Sequence, residues 1–312
     1  MNETINNNPL LCNPEKGICE IPNATNQEVE IHIKSEKKTI HIIYFTDPIC
    51  SACWAIEPEL KKFKLEYGEY VDIEYRMGGL VRSWEGFADK SNGIYSPKDV
   101  APHWDEVGQH SGMSIDGDIW LEDPLSSSYP PSIAFKAMQK QGDEKALQFL
   151  RYIREMVFLE KKNITKEHHL IEAVKKCGGD TVQFLADYHS KVTEQSFYAE
   201  IKEGRDLGVR GFPTFIFIGK DGTGFRLPGI SGYENYVLAL EKALDKKLKA
   251  KPIHYTEIDV ISKYGYLATK EISFVLSQDE ATTIVNLEQL EKEGKVKKVM
   301  QKYGLFWRVI KL

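Results

Sequence analysis

Nowhere in the chain do apolar residues run for the roughly 20 positions that a membrane span requires. Neither sign of charge dominates its 312 residues, which carry 41 Lys and Arg against 46 Asp and Glu. The first absence excludes a membrane-spanning helix, and the second removes any general electrostatic pull toward nucleic acid or an anionic bilayer. No basic, apolar secretory leader opens the sequence, so a cytoplasmic protein is expected. Cysteine is scarce: Cys12, Cys19, Cys50, Cys53 and Cys177 are all there is. That is too few to staple a chain of this length, and cytoplasmic thiols are normally kept reduced. A close cysteine pair therefore points to chemistry or metal before architecture. What is present, 42% hydrophobic residues, suffices for a large core and more than one domain.

Residues 1–27 are rich in Asn, Pro and Glu without periodicity and read as a flexible arm. "VEIHIK" alternates like a half-buried strand, whereas "TIHIIYF" from Thr39 is a near-continuous β-branched and aromatic run, the pattern of a central strand buried on both faces. After Cys50 and Cys53 a helical spacing leads into the alternating "VDIEYRM", which completes a β-α-β unit. From about Val81 to Lys202 strands are scarce and helical patterns recur, as in a helical insertion. "VRGFPTFIFIG", "DGTG", "FRLPG" and an amphipathic segment through Leu248 then give strand, hairpin, strand and helix. Together these predict a thioredoxin-like α/β domain over 28–252, with a four-stranded mixed sheet interrupted by helices at about 81–202. The Lys-rich "KKLKAKPIHYTE" marks a boundary near 252 that few contacts should cross. Residues 253–312 show two short helices and an alternating hairpin, the pattern of a small winged-helix-like module.

Chemistry concentrates in "YFTDPICSACWAIEP". A C-x-x-C where a strand gives way to a helix is a thioredoxin-like redox signal. Unpaired N–H groups and the helix dipole at that point favour a thiolate, which makes Cys50 the nucleophile and Cys53 the resolving thiol. Zinc competes, but it wants four N or S ligands, and no second pair follows. Two merely buried, reduced cysteines are the remaining alternative. "GFPTF" adds Pro213, which in a thioredoxin fold stands as a cis proline opposite the cysteines and leaves a strand edge free for an extended substrate. Phe212 and Thr214 flank it in that groove. Glu57 has two readings: facing Cys53 it accepts the resolving thiol's proton with a raised pKa, or it is a solvated helix-face carboxylate. Trp54 is core packing, Pro58 interrupts the helix, and Cys177 is read as inert.

"DPICSACWAIEP", "MGGL", "SGMSIDGDIWLEDPLSSSYPPSIAFKAMQKQG" and "GFPTF" resemble the DsbA-like branch of the thioredoxin superfamily, including its FrnE-like members. With "KKNIT" and "KVKKVMQKYGLFW" the similarity extends to the SpxH (YjbH) family, adaptors that present the transcription factor Spx to the protease ClpXP. That resemblance implies two functions. The leading expectation is thiol-disulfide exchange with protein substrates through Cys50, Cys53 and Pro213, without a bound cofactor; the alternative is delivery of an Spx-like regulator to ClpXP. SpxH-like adaptors carry a His- and Cys-rich zinc-binding segment at their start, whereas here the arm offers only Cys12 and Cys19 as metal candidates, with no His before His32. From Thr256 onward nine Lys and Arg face eight Asp and Glu, a balance that argues against a phosphate-neutralising surface and for a wing used in protein docking or simply in packing.

Overall fold

A computed structural model of the chain describes residues 39–85 and 95–310 in full and, for the backbone alone, residues 12–13, 18–20 and 31–32. The first half holds strands β1 (Cys12–Asn13), β2 (Ile18–Glu20), β3 (Ile31–His32), β4 (Ile40–Thr46) and β5 (Val71–Met77), with helices α1 (Ser51–Ala55) and α2 (Glu57–Tyr67) between the last two. A helical block follows: α3 (Ala101–Ser111), α4 (Ile119–Glu122), α5 (Tyr129–Gln139), α6 (Asp143–Leu159), α7 (Glu167–Lys176), α8 (Thr181–Tyr188) and α9 (Lys191–Asp206). The chain then returns through β6 (Gly211–Phe212), β7 (Thr214–Ile218), β8 (Thr223–Pro228) and α10 (Tyr233–Leu244). It ends with α11 (Glu257–Tyr264), β9 (Leu267–Ala268), α12 (Thr269–Leu276), α13 (Glu280–Lys292), β10 (Val296–Gln301) and β11 (Gly304–Val309).

The core sheet has the order β3-β8-β7-β4-β5, one strand more than expected, because the "VEIHIK" segment adds to the β8 edge through Ile31 and His32. β4 is central, parallel to β5 and antiparallel to β7. Its apolar run explains that place: Ile42, Tyr44 and Phe45 are fully buried, as only a strand covered on both faces can be. α10 packs on β4, β7 and β8 beside α2, and α9 lies against β5. Thus the insertion and the sheet share one apolar core.

Two expectations are corrected here. The arm is not structureless throughout: β1 and β2 pair antiparallel, and β2 pairs in turn with β6. Nor is the C-terminal segment loosely attached. It has its own cluster around Val260, Ile272, Leu287 and Trp307, yet Ala268 and Phe306 belong to the main core. α12 lies along α2, Lys62 bonds Ser277 at 2.6 Å, and Lys302 at the β10–β11 tip meets Asp105, Asp116 and Asp118 of the insertion at 3.0–3.1 Å. The Lys-rich bridge concealed this, because linker composition reports on the linker and not on what the flanking surfaces do.

Candidate dithiol site

Cys50 is the N-cap of α1, and its Sγ accepts a hydrogen bond from the Cys53 amide at 3.1 Å. α1 is a single turn. The chain resets at Ile56 and α2 begins at Glu57 with Pro58 in its first turn, where a missing N–H costs nothing. So short a helix supplies little of the dipole that the sequence reading invoked. Both cysteines are 0% exposed, and their surroundings push the two thiols in opposite directions. Burial pushes the Cys50 thiol well up, and the neighbouring Cys53 sulfur and Asp47 add to it. Burial raises Cys53 too, but the Cys50 S–H, the Arg154 guanidinium and the Thr46 hydroxyl outweigh it and bring that thiol below its ordinary range.

Arg154 comes from the middle of α6 and is 1% exposed. Its Nη2 donates to Thr46 Oγ1 at 2.6 Å and to the Asp47 carbonyl at 3.2 Å, and its Nη1 to Glu57 Oε1 at 3.0 Å. Glu57 is accordingly neither a raised-pKa base nor a solvated carboxylate. Burial would lift it, but Lys61 at 2.5 Å, Arg151 and Arg154 hold it at about 2. From Glu57 the ion pairs continue: Lys61 bonds Glu271 of α12 at 2.8 Å, and Arg151 grips the same carboxylate with two N–H groups at 2.7 and 3.0 Å. Arg151 also lies over the Trp54 ring, 4.4 Å from its centroid. Trp54 is core packing as expected, with its indole N–H donating to the Ser114 carbonyl at 3.1 Å. A buried ionic chain thus runs from beneath the cysteines to the C-terminal segment.

Asp47, fully buried at the end of β4, accepts from the Ile49 and Leu80 amides at 3.1 and 2.8 Å. Burial raises its carboxyl to about 6 against the pull of those amides. Sequence reading missed Asp47, Arg154 and Glu271. For Arg154 a signal existed: it stands four residues after Leu150 on the face that also buries Ile153 and Val157, so a charge sits on the apolar side of an amphipathic helix.

The Phe212–Pro213 peptide bond is cis, and the structure places the flanking residues in supporting positions. Thr214 Oγ1 donates to the Gly211 carbonyl at 2.7 Å, closing the turn. Phe212 is fully buried with its ring over Gly78, where an added Cβ would stand 1.8 Å from a ring carbon. Close approach is thus what "MGGL" provides, and Gly78→Ala is expected to displace the Phe212 ring, cost about 1–3 kcal/mol and lower the thermal midpoint. An unchanged melt would show that the ring has room to move. The edge of β6 beside Pro213, expected to be free, is taken by β2, with Cys19 opposite Phe212 and Glu20 opposite Gly211. The metal expectation at Cys12 and Cys19 falls on side chains outside the described residues. Cys177 is partly buried, and burial pushes its thiol up to about 11, as suits an unreactive group.

Known proteins place this geometry. Residues 44–238 match the family described as Thioredoxin. The chain is 35% identical over 305 residues to the ClpXP adapter protein SpxH of Halalkalibacterium halodurans, covering 97% of this chain and 98% of that one. It is 32% identical over 284 residues to the protein of the same name in Bacillus subtilis, covering 87% and 90%. Among solved structures, the cytosolic disulfide reductase DsbM from Pseudomonas aeruginosa superposes with a TM-score of 0.50 at 23% identity, over 65% of this chain and 94% of its own.

Proposed function

We propose that this chain, which belongs to the thioredoxin superfamily and within it to the SpxH family, is an adaptor that binds a transcription factor of the Spx type and hands it to the ClpXP protease. The observation that carries this reading is coverage. Similarity to proteins named as ClpXP adapters runs through 97% of the chain, whereas the disulfide reductase accounts for 65% of it. The joined C-terminal segment belongs to the whole on that comparison, and the ion pairs of Glu271 with Lys61 and Arg151 make it a fixed part of the surface a client would meet. Its order of helix, short strand, two helices and hairpin, with the sheet β10-β11-β9, supports reading it as a winged helix used for protein docking. A cytoplasmic setting belongs to the same reading.

A second reading, thiol-disulfide exchange through Cys50 and Cys53, is favoured by Arg154, which stabilises a departing Cys53 thiolate. Burial of both sulfurs and occupation of the β6 edge weigh against rapid turnover of protein disulfides. The readings separate in a reconstituted assay. Added to purified ClpXP and an Spx-type regulator, the chain is expected to accelerate degradation at least tenfold, and Cys50→Ser and Cys53→Ser to do the same. No acceleration by the wild-type chain would remove the adaptor reading. Acceleration lost in both variants would make the thiols part of it.

A further inference from the structure

Cys12 and Cys19 are direct partners in the antiparallel β1–β2 pair, and Cys19 is in turn the direct partner of Phe212. Directly opposed residues of an antiparallel pair have Cα atoms about 4.5 or 5.5 Å apart. Both spacings fall in the range of about 4.4–6.8 Å that a disulfide spans. The β2 backbone also runs close beside α1, the helix that carries Cys53 and is capped by Cys50. The backbone therefore brings a cross-strand cysteine pair to the edge where an extended disulfide substrate would have to lie. We propose that the Cys12–Cys19 strand pair is a built-in redox partner of the Cys50–Cys53 centre, occupying the groove and exchanging a disulfide with it. The inference rests on the second reading, that Cys50 and Cys53 exchange disulfides, and is independent of adaptor activity.

The exchange closes chemically within the chain. A low-molecular-weight disulfide first oxidises the centre to Cys50–Cys53. The Cys19 thiolate then attacks the Cys50 sulfur: the Cys50–Cys53 bond breaks, a Cys19–Cys50 bond forms, and Cys53 leaves as a thiolate beside Arg154. Next the Cys12 thiolate attacks the Cys19 sulfur, so that the Cys19–Cys50 bond breaks, a Cys12–Cys19 bond forms and Cys50 leaves. Two electrons pass from the arm to the centre, and the two protons surrendered by the arm thiols are available to Cys50 and Cys53. An intramolecular partner acts at millimolar effective concentration, so it outcompetes dilute protein thiols, and an extended substrate that uses the β6 edge must first displace β2.

The test uses the full chain, oxidised glutathione as the probe and peptide mapping of acid-quenched samples. Wild-type protein is expected to show Cys50–Cys53 first and Cys12–Cys19 later, Cys53→Ser to accumulate an intramolecular Cys19–Cys50 link, and Cys50→Ser to form Cys12–Cys19 at least tenfold more slowly. Failure of Cys50–Cys53 to form would overturn the dithiol reading together with this inference. Cys50–Cys53 forming while Cys12–Cys19 never follows, or forms equally fast in Cys50→Ser, would overturn the inference alone.

Discussion

Removing residues 256–312 is expected to unfold the thioredoxin domain rather than release it. Glu271 is 0% exposed and closes the ion pairs of Lys61 on α2 and Arg151 on α6. Those two carboxylate partners, more than the Coulomb attraction itself, set the size of the effect. Breaking a buried pair costs about 3–5 kcal/mol, and although Lys61 keeps Glu57 and Arg151 keeps Glu155, both cations lose their innermost carboxylate. The truncation also strips Ala268 and Phe306 from the main core. Against a total stability of about 5–15 kcal/mol the sum leaves little, so urea titration of the truncated chain should show no cooperative transition. Glu271→Ala isolates the ionic part and should lower the unfolding free energy of the whole chain by about 3–5 kcal/mol in a single transition. A truncated chain that melts cooperatively near the wild-type midpoint would show that the ion pairs are bystanders.

The second large effect is expected at Arg154. Replacement by Met keeps most of the volume and removes the cation that faces Cys53, Thr46 and Glu57. The Cys53 thiol should then titrate upward, because one of the contributions that offset burial is gone while the Cys50 and Thr46 hydrogen bonds remain. The linkage has a definite sign. A thiol whose folded pKa lies below its unfolded one stabilises the fold above the unfolded value and loses that contribution as pH falls through the folded value. Wild-type stability relative to Arg154→Met should therefore grow as pH rises toward the ordinary thiol pKa of 9.0. Cys50, raised, works in the opposite sense: its unfolded form ionises from about the same 9.0 while the folded form holds its proton. Arg154 also lowers Asp47 and Glu57, so these carboxyl groups add to the difference at lower pH while Cys53 sets its growth toward 9.0. Thiolate absorbance against pH, read beside urea titrations at each pH, checks both parts. An unshifted titration in Arg154→Met would show that the guanidinium does not govern the pair.

The sheet was legible in the sequence because its central strand has an unmistakable composition: seven residues of "IHIIYFT" form β4. The C-x-x-C was placed correctly at the start of a helix for the same local reason. The cation beside the pair was not legible, since Arg154 lies on α6, about 100 positions away, and reads locally as one more helix Arg. Glu57, with Lys61 four residues on, misled in a comparable way. At a spacing of i,i+4 they look like a solvated surface pair, and only the arrival of Arg151, Arg154 and Glu271 makes them interior. The arm strands, two and three residues long, carry no periodicity to detect. What fixes them is edge pairing with β6, a nonlocal event.

The ionic chain has a consequence for synthesis. Arg151 and the carboxylate that neutralises it are separated by 120 residues, and translation adds about 5–20 residues each second. For roughly 6–24 seconds the nascent chain holds the two helices that carry Lys61 and Arg151 with no Glu271 to receive them. The thioredoxin domain is therefore expected to reach its full stability later than the usual order of N-terminal parts first would give. A ribosome stalled before α12 would leave Lys61 and Arg151 open to water where the finished molecule has an interior.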